Sequence, residues 1–146
     1  MSQVQVRTGS RYPSPYDEPC RGRHILQLAD AGGLTKYGVN LVTLPTGGWS
    51  SQRHWHELED EFLYMLEGEA VLVEDEGETI LRPGDAAAFK AGTRNGHKLE
   101  NRSTGDVRFL IVGDRNPEDW GEYSDIDMRF NRTGVTFTKK DGSRIK

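Results

Sequence analysis

Two histidines, His54 and His56, stand one residue apart in the stretch RHWHELEDEFLYML, and five residues further on Glu61 opens the apolar run Phe62 to Leu66. Imidazoles and a carboxylate beside a hydrophobic segment need pairing or coordination, because burial of an ionisable group without a partner is costly. On an extended chain alternate side chains share one face and lie roughly 6–7 Å apart. His54 and His56 therefore point together, opposite Arg53, Trp55 and Glu57, and can converge on one ion. The polar connection from Glu57 to Asp60 precedes Glu61, so an antiparallel turn there returns the Glu61 carboxylate to the histidines. The one histidine that follows, His97 in KAGTRNGHKLEN, offers a fourth ligand from a separate strand. Three neutral imidazoles and a carboxylate suit Fe(II), Mn(II), Ni(II), Co(II) or Zn(II), and leave positions on a six-coordinate ion for water or substrate. Donor softness does not choose among these metals.

Other residues carry weaker signals. Ser50 and Gln52 share the parity of His54 and are candidates for hydrogen bonds to a bound ligand. Arg94 and Asn95 lie just before His97 and could orient a carboxylate-bearing substrate; a solvent-exposed turn accounts for them equally well. Trp49, Tyr64, Met65 and Phe89 read as core, with a pocket mouth as the alternative. His24 reads as a surface or structural histidine. Cys20 has no base near it in sequence and follows a proline-rich stretch, which argues against a nucleophile. The acidic residues of DRNPEDWGEYSDIDM read as a solvated face, with Trp120 and Tyr123 packing on the body of the protein or on a second subunit.

These side chains must be held by short strands. Between residues 24 and 113 the apolar runs HILQL, YGVNLVTL, EFLYML, EAVLVE, TILR, AAAF and VRFLIVG alternate with turn signals such as Thr46-Gly47-Gly48, Pro83-Gly84 and Ala91-Gly92-Thr93. That spacing predicts an antiparallel sandwich or barrel. LADAGGL allows one helical turn and no more, given its paired glycines. Residues 1–23 carry Pro13, Pro15 and Pro19 and are expected to form an irregular arm. Residues 114–146 form a second arm, ending in a hairpin, VTFTKKDGSRI, that turns at Asp141-Gly142.

A chain of 146 residues is expected to be one domain. Seventeen glycines and 34% hydrophobic residues suit an all-β protein. The formal charge of −4 gives no reason to expect a nucleic acid or an anionic membrane as partner. One cysteine permits no internal disulfide, and no apolar stretch reads as a signal peptide or membrane span, so a cytoplasmic protein is expected.

The motifs resemble those of the cupin superfamily. The first cupin motif runs glycine, five residues, His-x-His, three or four residues, Glu, six residues, glycine; Gly48, His54, His56, Glu61 and Gly68 occupy these places. In the second, Gly84, Gly92, His97 and Asn101 fit, while Lys90 replaces a proline and four residues instead of two separate Gly92 from His97. At a finer level the chain resembles small bacterial single-domain cupins of mostly unassigned function. The resemblance implies a double-stranded β-helix, a jelly-roll barrel at residues 24–113 between two irregular arms. It also implies a divalent metal held by His54, His56, Glu61 and His97, and a homodimer.

The function expected is that of a metal-binding cupin that binds or transforms a small oxygen-rich metabolite as a lyase, isomerase or oxygenase. A non-catalytic binding or sensing barrel, or a barrel that metal merely stabilises, are the alternatives. Whether it is an enzyme is left open by the sequence.

Overall fold

A computed structural model describes residues 4–146. The strands are β1 (Val6–Thr8), β2 (His24–Gln27), β3 (Tyr37–Leu44), β4 (Glu61–Glu67), β5 (Ala70–Glu74), β6 (Gly77–Leu81), β7 (Ala86–Phe89), β8 (Lys98–Glu100), β9 (Val107–Asp114), β10 (Trp120–Glu122), β11 (Arg129–Asn131) and β12 (Phe137–Thr138). A single helical turn, α1 (Leu28–Ala31), matches the expectation for LADAGGL. Each apolar run between residues 24 and 113 gives a strand, as its alternation predicts.

Pairing is antiparallel throughout. One sheet has the order β1-β2-β3-β9-β4-β7, a second β6-β5-β8, and a third β10-β11-β12. The first two face each other across a core in which Ile25, Val42, Leu63, Met65 and Phe109 from the large sheet meet Leu72, Leu81 and Leu99 from the small one. The double-stranded β-helix is thus two sheets closed around one apolar filling.

The inward side chains of the large sheet change character along the strands. Residues directly opposite each other in a ladder share a face. Leu44 stands opposite Val107, then Val42 opposite Phe109 and Phe109 opposite Met65, then Asn40, Ile111, Leu63 and Ala87 in one row, then Gly38, Gly113, Glu61 and Phe89. One end of the barrel is therefore closed by aliphatic side chains, and the other opens through two glycines onto a carboxylate. Gly68, the last glycine of the first motif, turns the chain from β4 to β5 at φ +78°. A Cβ there would lie 2.6 Å from the carbonyl of Asp106, so no other residue fits. Asn101 closes the second motif from a buried position: its amide donates to the carbonyls of Leu44 and Gly105, at 2.9 and 2.8 Å, and its oxygen accepts from the backbone N–H of Ser103.

Both arms are more ordered than their composition suggests. Val6–Thr8 adds a strand to the edge of the large sheet, pairing with His24–Leu26, and Pro19 sits in a short 3-10 turn, Glu18–Cys20. In the other arm Phe137–Thr138 pairs with Arg129–Phe130 upstream; the turn at Asp141-Gly142 forms, with Gly142 N–H donating to the Lys139 carbonyl, but no strand follows it. The arms meet in a second cluster, Tyr123, Met128 and Phe130 packed with Tyr12, Tyr16 and Phe137, laid against the histidine side of the barrel.

Candidate metal centre

The segment from Trp49 to Asp60 is not a continuous strand, because glycine and serine precede the histidines and bends interrupt it. It runs between two partners instead. His54 N–H donates to the His97 carbonyl at 3.2 Å and His97 N–H to the His54 carbonyl at 2.9 Å, while Trp55 and Glu57 donate to the carbonyls of Glu122 and Trp120. The expected alternation survives. His54 and His56 point into the barrel mouth, Trp55 packs on Trp120, and Arg53 pairs with Asp125 and Asp75 outside.

Three imidazoles surround one carboxylate oxygen. Nε2 of His97 lies 2.9 Å from Glu61 Oε1, Nε2 of His56 3.2 Å, and Nε2 of His54 3.8 Å. The ring orientations are set by groups behind them. His54 Nδ1 faces the Gln52 carbonyl at 2.8 Å, an acceptor only, so Nδ1 carries the hydrogen and Nε2 the lone pair. His56 Nδ1 donates to Asp119 Oδ2 at 2.6 Å. His97 is held by the ring of Phe89, stacked on it with centroids 3.6 Å apart and planes 6° from parallel, and its buried Nδ1 has no hydrogen-bond partner.

The electrostatics follow from this arrangement. Burial, with the positive fields of His97 and His56, pushes His54 down to about 3, so it is neutral. Burial acts on His56 in the same sense, but hydrogen bonds to Asp119 and Glu61 outweigh it and raise that ring to about 10. Burial opposes the charge of Glu61, yet the field of His97 and the hydrogen bonds from His56 and His97 hold its carboxyl well below the usual range. Asp119 is likewise lowered: burial opposes its charge, and hydrogen bonds from His56 and the Leu58 N–H outweigh it.

The donor set fits a divalent cation. A neutral His54 turns the lone pair of Nε2 toward a carboxylate oxygen, and two lone pairs so placed repel unless a cation lies between them. His54, His56 and Glu61 form a group that could hold one, with their donor atoms within 4.8 Å of one another. Carboxylate and carbonyl partners on the remote nitrogens of metal-bound histidines are a common means of fixing tautomer and ring plane.

The secondary candidates are placed as follows. Ser50 Oγ accepts from Leu99 N–H at 2.8 Å, and Gln52 Nε2 donates to the Tyr16 carbonyl at 2.8 Å, so both tie strands and arm together near the site. Asn95 Nδ2 donates to Glu74 at 2.8 Å while its oxygen accepts from Asp75 N–H. Arg94, at φ +60°, pairs with Glu57 and lies over Trp55 and Trp120 on the surface. His24 is exposed and within 3.1 Å of Thr8 Oγ1. Met65 is core, but Tyr64 is outward and exposed.

The acidic arm requires a correction. Asp119, expected on a solvated face, is 1% exposed and is the partner of His56. Glu59, also buried, accepts from Asn116 N–H and Arg132 Nη2, at 2.8 and 2.9 Å. Nothing in composition separates Asp119 from its exposed neighbour Glu118; only the pairing of Trp120 with Glu57 brings it under the site.

The Cupin domain family matches residues 40–113. A cupin-superfamily sugar phosphate isomerase from Silicibacter pomeroyi is 47% identical, with a TM-score of 0.93 over 98% of this chain and 92% of that one. A putative sugar phosphate isomerase from Acidithiobacillus ferrooxidans is 26% identical, with a TM-score of 0.77 over 86% and 81% of the two chains. The polyketide cyclase RemF from Streptomyces resistomycificus, at 23% identity and a TM-score of 0.61 over 77% and 75%, shares the fold. None of the curated proteins matches this chain. The chain belongs to the cupin family and its barrel is that of a small single-domain member; its His54, His56 and Glu61 group could hold a metal.

Proposed function

We propose that the protein is a metal-dependent isomerase of a small, oxygen-rich metabolite, of the sugar phosphate class named for its Silicibacter relative. The observation that carries this reading is the convergence of the Nε2 atoms of His54, His56 and His97 on Glu61 Oε1, with His54, His97 and Glu61 lining an open cavity. These four residues would hold a divalent ion, with Zn, Fe, Mn, Ni or Co all compatible with the donors. Once bound, such an ion would polarise a hydroxyl or carbonyl oxygen of the substrate. The chain itself keeps His54 neutral, orients His56 through Asp119, and keeps Glu61 ionised to offset the cation's charge.

A cavity of about 310 Å³ reaches Glu61, His54 and His97 from the side covered by the arms. A metal that only stabilised the barrel would have no use for such access, since structural sites close their shell with protein ligands. A reducing cytoplasm is part of the same proposal, as Cys20 is free and fully buried. So is a homodimer, because β4 presents Phe62, Tyr64 and Leu66 on its exposed outer face and a second copy would cover them.

The test is proton exchange. Metal-loaded protein is incubated with aldose and ketose phosphates in D2O, and deuterium at the carbon beside the carbonyl is followed by NMR, with metal content measured in parallel. Exchange that is lost in His54→Ala is expected. Stoichiometric metal with tight sugar phosphate binding but no exchange for any of the five metals would leave a binding cupin instead.

A further inference from the structure

The inward-facing row of the large sheet that contains Phe109, Val42 and Ile25 ends, on β1, in Arg7. Arginine at a position continuous with the core is unusual, and its neighbours sharpen the anomaly. Arg7, Arg11, Arg23 and Arg132 all line the cavity that reaches Glu61. Arg132 is paired with Glu59. Arg23 donates to the carbonyls of Gly9 and Ser50, which fixes its guanidinium without neutralising it. Arg7 has a buried Nε with no partner, and among the described residues no carboxylate forms an ion pair with Arg7, Arg11 or Arg23.

The geometry points to a binding subsite for a phosphate monoester, formed by Arg7, Arg11 and Arg23 from the N-terminal arm, at the arm side of the cavity that His54, His97 and Glu61 line. The half-buried guanidinium of Arg7, with no carboxylate and an unpartnered Nε, costs free energy in the free protein and repays it when a dianion arrives, to which the exposed Arg11 and the carbonyl-held Arg23 add their charge. Burial lowers the Arg7 guanidinium below its ordinary range and the charges of Arg23 and Arg11 lower it further; Asp30, whose field opposes them, is already held by Arg115. Among the described residues the single carboxylate lining this cavity is Glu61, which the metal would offset. Tyr12 and Tyr123, edge to face with centroids 5.4 Å apart, line the same space. A ligand that carries a phosphate at one end and hydroxyl or carbonyl oxygens at the other would reach both features.

The inference rests on the reading of this cavity as a substrate site, and the test separates the two. Inorganic phosphate is titrated calorimetrically into wild type, Arg7→Met and His54→Ala, each with its metal content measured, and sodium acetate serves as the carboxylate control. Arg7→Met should weaken phosphate binding about tenfold or more with metal content unchanged. In the ligand-free state it should melt at the same or a higher temperature than wild type, since a strained cation has gone; an arginine with a purely structural role would lower that temperature. His54→Ala should lose metal and keep phosphate binding that still depends on Arg7. Phosphate binding that survives in Arg7→Met and vanishes in His54→Ala would place the anion on the metal and overturn the subsite. Acetate binding as tightly as phosphate would overturn the phosphate assignment. If wild type held no metal yet bound phosphate through Arg7, the metal-centred reading would fail while the subsite stood.

Discussion

Residues 114–146 set Asp119 against His56 and Arg132 against Glu59, each charge meeting an opposite one, whereas residues 4–23 set Arg7 and Arg11 along a cavity where no described carboxylate pairs with them. Both arms cover the same side of the barrel and both are rich in charge. Satisfied charges orient groups already present, and this is the work of Asp119 on His56. A buried donor left unsatisfied, as at Arg7 Nε, lowers stability until a partner arrives, whereas the exposed Arg11 is solvated. On the proposed reading the C-terminal arm would complete the metal centre from behind, and the N-terminal arm would face the ligand.

The largest effect should come from breaking the satisfied side. Asp119→Ala leaves His56 Nδ1 and Leu58 N–H without a buried acceptor. We expect a loss of about 3 kcal/mol in chemical denaturation of metal-free protein and a metal affinity reduced roughly 10- to 100-fold by competition with a chelating dye. An Asp119→Ala protein with normal metal affinity would remove the positioning role.

Next in size is the pH dependence of the metal-free protein. His56 has a folded pKa of about 10 against 6.5 unfolded, so its contribution is complete below pH 6.5 and is lost as pH rises toward 10. His54, at about 3 when folded, does the reverse: its contribution is present above 6.5 and is lost as pH falls toward 3. Glu61 and Asp119, both lowered, add to the loss on the acid side. Urea denaturation of chelated protein should therefore give a maximum near pH 6.5, with losses near pH 4.5 and near pH 9. Metal should abolish the alkaline loss, since the ion takes the place of the His56 proton. Stability that climbed steadily to pH 9 without metal would show that His56 does not hold the proton.

Arg132→Met should cost about 2 kcal/mol, because Glu59 is buried and loses a charged donor. Arg11→Ala, at an exposed residue of the other arm, should stay within about 0.5 kcal/mol of wild type in the same assay. If the two changes cost the same, the contrast between the arms would collapse.

Much of this architecture was legible in the residues. The apolar runs between residues 24 and 113 marked every barrel strand but Lys98–Glu100, which was placed only through His97, and His54, His56 and Glu61 declared themselves because they lie within eight residues of one another. His97 required the spacing of the second motif, and its two extra residues are taken up in the turn where Arg94 has φ +60° and Asn95 bonds Glu74 and Asp75. The arms were legible only in the turn at Asp141-Gly142. Arg7 belongs to a three-residue strand whose partner is sixteen residues away or more, and Asp119 reaches His56 across 63 positions. Periodicity reports which face a residue takes within an element; it carries no record of which distant element supplies the neighbour.

The reciprocal backbone bonds between His54 and His97 have a consequence for how the centre is loaded. Two of the proposed ligands, from distant parts of the chain, are fixed by main-chain registry that the metal-free protein already has. If the proposed ion binds, its insertion would follow folding and could be reversed without unfolding the barrel. Under such conditions occupancy follows the metal most accessible at the time of loading, weighted by the general affinity order of divalent ions, so that copies raised under different metal supply would carry different ions in the same frame.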